Sequence, residues 1–75
     1  MIAEQNFKEL KLIYKSPFKY EDASQQIFDC NNRLVLDVRG WGWLHSSGRL
    51  DAEIIQDRFG NLIVELLNRK FQEEV

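Results

Sequence analysis

QIFDCNNRLVLDV, residues 26–38, decides the fold, because two apolar runs flank a short polar segment. Each run has the composition of a β-strand, and Asp29 suits the first position of a type I turn. Asn32 tolerates the left-handed backbone that closes such a turn with a bulge. The segment therefore predicts a β-hairpin. We expect its core side to consist of Phe28, Leu34, Leu36 and Val38.

The C-terminal third of the chain changes to a helical period. Apolar residues recur there at spacings of three and four, with acidic residues near the start and basic residues near the end, as the helix dipole favours. Ser46, Ser47 and Gly48 are capping candidates. We expect one helix over residues 49–73. Its expected sheet-facing stripe is Ile55, Phe59, Leu62, Ile63 and Leu66.

Residues 1–16 form a lead with two competing signals. Their Lys, Glu and Leu content favours a helix, whereas Leu10, Leu12 and Tyr14 alternate with polar residues as in a strand. Pro17 also biases the residue before it toward extended backbone, and we favour an extended lead. The expected fold class is α+β. A small antiparallel β-meander of about three strands over residues 17–44 would be packed by the C-terminal helix within a single domain.

Composition limits the possible functions. The chain has 75 residues, a net charge of −2, one cysteine and one histidine, so neither an internal disulfide nor a Cys/His metal cage is expected. No apolar run has the ~20 residues of a membrane span, and basic residues are not clustered as in nucleic-acid binders. We expect a cytoplasmic protein without a cofactor.

A second apolar stripe of the predicted helix consists of Gly60, Val64, Leu67 and Phe71. A glycine inside a helix costs about 1 kcal/mol relative to alanine, which a close backbone contact would explain. A chain this short gains only about 3–5 kcal/mol from a single core and often needs a partner. The stripe is thus a candidate for self-association in a homodimer. Alternatively, the N-terminal segment covers it within one chain.

Arg39, Trp41 and Trp43 are the candidate partner-binding residues. Counted along an unbroken strand, they lie opposite the predicted core side. Tryptophan and arginine are enriched at binding hot spots, so this pattern favours a docking surface. A bulge at Gly40 or Gly42 would instead turn both indoles into the core, and the N-terminal segment could also cover them. The sequence leaves these alternatives open.

Candidate catalytic groups are sparse. Cys30 and His45 could form a nucleophile and its base, but nothing in the sequence supplies a third, orienting group. The aspartates lack the spacing of metal ligands, and residues 39–42 lack the third glycine of a dinucleotide loop. We therefore expect a non-enzymatic protein-interaction module. The alternative is single-stranded nucleic-acid binding, with Trp41, Trp43 and Arg39 contacting the bases.

Four segments, residues 27–29, 36–42, 55–60 and 63–68, resemble a family of small uncharacterised proteins encoded by phages and prophages. Members of that family share a hairpin, an Arg-Gly-Trp-Gly segment and a closing helix with an Ile-Val-x-x-Leu-Asn pattern. The resemblance covers about residues 17–70, and the N-terminal lead departs from it. It implies an accessory phage protein that acts inside a bacterial cell. Many such proteins bind a host protein.

Overall fold

Three antiparallel strands and three helices make up the protein, in a computed structural model that describes residues 2–39 and 43–72. In chain order the elements are α1 (Ile2–Ile13), β1 (Lys19–Glu21), β2 (Gln26–Phe28), β3 (Leu34–Asp37), α2 (Trp43–Ser46) and α3 (Ala52–Gln72). The sheet has the order β1-β2-β3, and α3 packs on β1 and β2. The predicted α+β meander with a C-terminal helix is confirmed.

The β2–β3 hairpin forms where the sequence predicts it. Phe28 pairs with Leu34 and Ile27 with Leu36, with an irregularity in register between Ile27 and Phe28. Asn32 has a φ of 62°, the left-handed conformation expected of it in the turn. Local sequence chemistry therefore sets both the position and the pairing of this hairpin.

The buried side chain of Asp29 stabilises the turn by accepting hydrogen bonds from backbone N–H groups. Its Oδ1 accepts the backbone N–H groups of Asn31 and Arg33, both at 2.9 Å, and its Oδ2 accepts that of Lys15 at 3.1 Å. Burial alone would raise the pKa of this carboxyl, but the three N–H groups stabilise the carboxylate and hold the pKa below its ordinary value. Asp29 thereby ties the hairpin turn to the segment that follows α1.

The core is displaced toward β1 and β2. Ile27 is fully buried and Phe18 is 4% exposed, whereas Leu34 is 49% and Leu36 37% exposed. The prediction that these two leucines lie in the core was wrong. The reason is that α3 packs on β1 and β2 and leaves the edge strand β3 less covered, although Leu36 is paired with Ile27.

The N-terminal lead is helical, so the prediction of an extended segment was wrong. The helix propensity of its Lys, Glu and Leu residues prevails, and the alternating pattern builds no strand, since Leu12 on α1 is 81% exposed. The Phe7 ring packs edge-on against Phe71 of α3 at 5.1 Å. Arg33 Nη1 also donates to the Ile13 carbonyl at 2.5 Å. α1 is thus attached at both its middle and its end.

The connection between sheet and long helix differs from expectation in two ways. β3 ends at Asp37, and Trp43 begins α2, so the meander is shorter than residues 17–44. α3 begins at Ala52, later than the predicted residue 49. The Asp51 carbonyl just before it accepts a hydrogen bond from the Ile55 N–H at 3.1 Å. The predicted capping serines instead bond back to carbonyls of α2.

Candidate interaction surfaces

The side of α3 that faces the sheet includes polar residues. Gln56 is 4% exposed, and Asn68 pairs with the backbone of Phe18. Asn68 Oδ1 accepts the Phe18 N–H at 2.6 Å, and Asn68 Nδ2 donates to the Phe18 carbonyl at 3.1 Å. The Asn68 side chain thus bonds both backbone groups of Phe18, as a neighbouring β-strand would do, just before β1 begins. Hydropathy gave no signal for either residue, because both are typical of exposed helix positions.

Gly60 is buried beneath the ring of Tyr20. A Cβ atom at this glycine would lie 2.6 Å from Cδ1 and from Cζ of Tyr20, far inside van der Waals contact. The ring is held from the other end, since Tyr20 Oη donates to Asp57 Oδ1 at 2.6 Å. Burial and the neighbouring Asp57 carboxylate raise the pKa of Tyr20 well above its ordinary value. The close backbone contact expected at Gly60 therefore exists, and it lies within one chain.

A line of hydrogen bonds connects α2, α3 and the β1–β2 turn. His45 Nε2 is hydrogen-bonded to Gln56 Oε1, and Gln56 Nε2 donates to Gln25 Oε1 at 2.8 Å. Gln25 Nε2 continues to Asp57 Oδ1 at 3.4 Å. This network fixes the rotation of α3 on the sheet. It also engages His45 with Gln56, while Cys30 lies exposed in the β2–β3 turn.

The stripe predicted for self-association, Gly60, Val64, Leu67 and Phe71, lies on the inner side of α3. Gly60 is buried and the other three are partly buried. The Phe71 ring packs edge-on against Phe18 at 4.7 Å and against Phe7 at 5.1 Å. Of the two alternatives for this stripe, the structure favours coverage within one chain, because α1 brings Phe7 onto Phe71.

The stripe predicted to face the sheet lies on the outside of α3 instead. Phe59 is 58%, Leu62 47% and Leu66 51% exposed, so that prediction was wrong for these three residues. Ile55 and Ile63 are partly buried. A shallow groove of about 260 Å³ lies on this outer side, lined by Ile55, Arg58, Phe59 and Leu62. The stripe predicted for self-association is thus the more buried of the two, and the stripe predicted to face the sheet is the more exposed.

Of the predicted partner-binding residues, Arg39 lies just after the end of β3 and Trp43 begins α2. Trp43 is 70% exposed, and Trp41 lies outside the described residues. The Arg39 guanidinium binds the Asp37 carboxylate, with Nη2 2.6 Å from Oδ2 and Nε 3.1 Å from both oxygens. This pairing holds the pKa of Asp37 far below its usual range. Trp43 belongs to a helix, so counting strand parity past Asp37 could not give its direction.

Within residues 2–39 and 43–72, no three His, Cys, Asp or Glu side chains stand close enough together to hold a metal ion. None of the helices in these ranges combines the length and apolarity that crossing a membrane requires. The chain matches no protein-family model, no curated protein and no solved structure.

Proposed function

We propose that this protein is a non-enzymatic interaction module that binds another protein through a surface containing Arg39 and Trp43, with Trp41 beside them in the sequence. The observation that carries the proposal is the 70% exposure of the Trp43 indole. A tryptophan buries roughly 150–250 Å² when covered, so this exposure forgoes about 3 kcal/mol of burial at ~25 cal/mol/Å². An apolar pocket on a partner protein would recover that free energy.

The ion pair of Arg39 with Asp37 favours a protein partner over single-stranded nucleic acid. Its guanidinium already binds the Asp37 carboxylate, in the geometry that it would otherwise offer to a phosphate. The chain also carries a net charge of −2, which opposes binding to a polyanion. An arginine paired in this way suits the polar rim around a buried tryptophan at a protein–protein interface.

The resemblance to phage and prophage proteins supports a proposal about where this protein acts. We propose that the chain is a phage accessory protein acting in the cytoplasm of a bacterial host, with a host or phage protein as its partner. The single cysteine, Cys30, is exposed in the structure, which suits a reducing compartment.

Affinity capture from a bacterial lysate, followed by direct titration of each purified captured protein, tests the proposal. We expect a captured protein whose dissociation constant rises roughly tenfold or more with Trp43→Ala, as for a hot-spot residue. The matched control is Leu12→Ala, since Leu12 is 81% exposed on α1, far from Trp43 in the chain. Both variants should show the wild-type circular dichroism spectrum.

Two outcomes would contradict the proposal. One is that every captured protein binds the Trp43→Ala variant as tightly as the wild type. The other is that the wild type binds a single-stranded oligonucleotide with an affinity that falls steeply with salt, which would favour the nucleic-acid alternative.

A further inference from the structure

The outer side of α3 has the spacing of a coiled-coil seam. Ile55, Phe59, Leu62 and Leu66 follow one another at intervals of four, three and four residues, which is the heptad spacing of paired helices. The last three of them are about half exposed, at 58%, 47% and 51%. The inner side of the helix is occupied by the sheet and by α1, so this seam is the face of α3 that a second helix could reach.

We propose that two copies of the chain pair through this seam, with their α3 helices antiparallel. When Phe59 of one copy packs beside Leu62 of the second copy, the same register brings Ile55 beside Leu66. The two-fold axis then repeats both contacts, so all four side chains of each copy meet an apolar neighbour. The groove beside Arg58 offers the depression into which such a side chain fits.

Charge complementarity is the argument for a second copy as the occupant. Arg58 and Glu65 are both exposed, and each directly precedes a seam residue, Phe59 or Leu66, so they flank the seam on the same side. Glu65 also pairs with Arg69 of its own helix, with 2.7 Å between Oε1 and Nη2, but such exposed pairs contribute little, and a carboxylate can accept from two donors at once. In the antiparallel register Arg58 of one copy lies next to Glu65 of the second copy, and the two-fold axis makes the pair twice. A parallel pairing would instead bring Arg58 beside the apolar Ile63. The flanking charges thus favour the antiparallel dimer.

The size of the seam predicts a weak dimer. Half-exposed side chains of this kind offer on the order of 400 Å² of apolar surface per copy, with the stems of the flanking charged residues adding to it. This places the interface at the low end of specific protein–protein contacts, for which we expect a dissociation constant on the order of 10–100 µM. The seam and Trp43 lie on different helices, so this proposal does not depend on the proposed function.

Sedimentation velocity of the full chain over a range of about 5–500 µM tests the dimer, given the expected affinity. The wild type should pass from monomer to dimer across this range. Arg58→Glu and Glu65→Arg should each weaken the dimer roughly tenfold or more, because each puts like charges at both pairs. An equimolar mixture of the two variants should form a heterodimer more tightly than either variant self-associates.

Three controls keep the result interpretable. Lys8→Glu makes the same charge change on exposed α1 and should leave dimerisation unchanged. Trp43→Ala should also leave it unchanged, which separates this proposal from the function proposed above. Circular dichroism should show every variant folded.

The proposal is overturned if the wild type stays monomeric over the whole range. It is also overturned if the dimer is insensitive to both charge reversals, or if mixing the two variants restores no association, because the antiparallel register would then be wrong.

Discussion

Replacing Gly60 by alanine should destabilise the protein, although the same change in an ordinary helix interior is stabilising. Alanine is favoured over glycine by about 1 kcal/mol inside a helix. Here the added methyl group would meet the Tyr20 ring, with Cδ1 and Cζ 2.6 Å from its position. The ring cannot move aside without losing a hydrogen bond, because its hydroxyl donates to Asp57 at 2.6 Å.

The balance of these terms gives the expected magnitude. Forcing a methyl group into occupied space costs about 1–3 kcal/mol, and losing a hydrogen bond to a carboxylate costs about 1.5–3 kcal/mol. The two costs are alternatives, because the ring either stays in place and is overpacked or moves and loses its hydrogen bond. After the helix gain of about 1 kcal/mol is subtracted, we expect Gly60→Ala to lower the free energy of unfolding by about 0.5–2 kcal/mol. For a chain of this size that corresponds to a fall in Tm of roughly 2–15 °C.

Thermal and urea unfolding followed by circular dichroism measure this change, at a low micromolar concentration where the monomer prevails. The matched control is the same substitution in a Tyr20→Ala background. There the obstacle is gone, and Gly60→Ala should be neutral or stabilising by up to about 1 kcal/mol. If Gly60→Ala raised the Tm of the otherwise wild-type protein, the packing of α3 on Tyr20 would be refuted.

Three further substitutions test other parts of the structure. Asn68→Ala should lower the free energy of unfolding by about 1–3 kcal/mol in urea titrations, because two backbone groups of Phe18 lose their partner. The pKa of Asp29 is lower in the folded state, so its carboxylate stabilises the fold above the ordinary pKa and loses this effect as the pH falls through the folded value. Urea midpoints of the wild type should therefore fall more steeply below about pH 4 than those of Asp29→Asn, which should be less stable at neutral pH. Trp43→Ala should change Tm little, by the equivalent of about 0.5 kcal/mol or less, since the side chain is 70% exposed.

Features set by neighbouring residues were predictable from the sequence. The hairpin turn depends on Asp29 and Asn32, two residues whose turn chemistry is specific, and the pairing of Phe28 with Leu34 follows from it. The existence of the C-terminal helix was predictable as well. Its dipole residues lie as expected, with Glu53 in the first turn and basic residues in the last.

The orientation of α3 was not predictable, because its inner side depends on contacts distant in sequence. Gln56 and Asn68 look like exposed residues until their partners on the sheet are known, and Gly60 contributes no side chain to a hydrophobic pattern. From hydropathy, the most apolar stripe of the helix, which includes Phe59 and Leu62, was therefore predicted to pack on the sheet. Polar side chains that match the sheet edge displaced that stripe to the outside.

The direction of Trp43 was unpredictable for a related reason. Strand parity carries information only while the strand continues, and β3 ends at Asp37, whose carboxylate binds Arg39 two residues later. Trp43 instead belongs to a new helix, α2. The lead was misjudged because its alternating leucines imitate a strand, whereas helix propensity set its conformation.

One NMR measurement tests most directly that α3 turns its polar side to the sheet and its apolar seam outward. In a NOESY spectrum of the isotopically labelled monomer, the ring protons of Tyr20 should give strong cross-peaks to the Hα protons of Gly60. Cross-peaks from that ring to the side chains of Phe59 and Leu62 would mean that the helix is rotated, with the seam buried and unable to pair with a second copy.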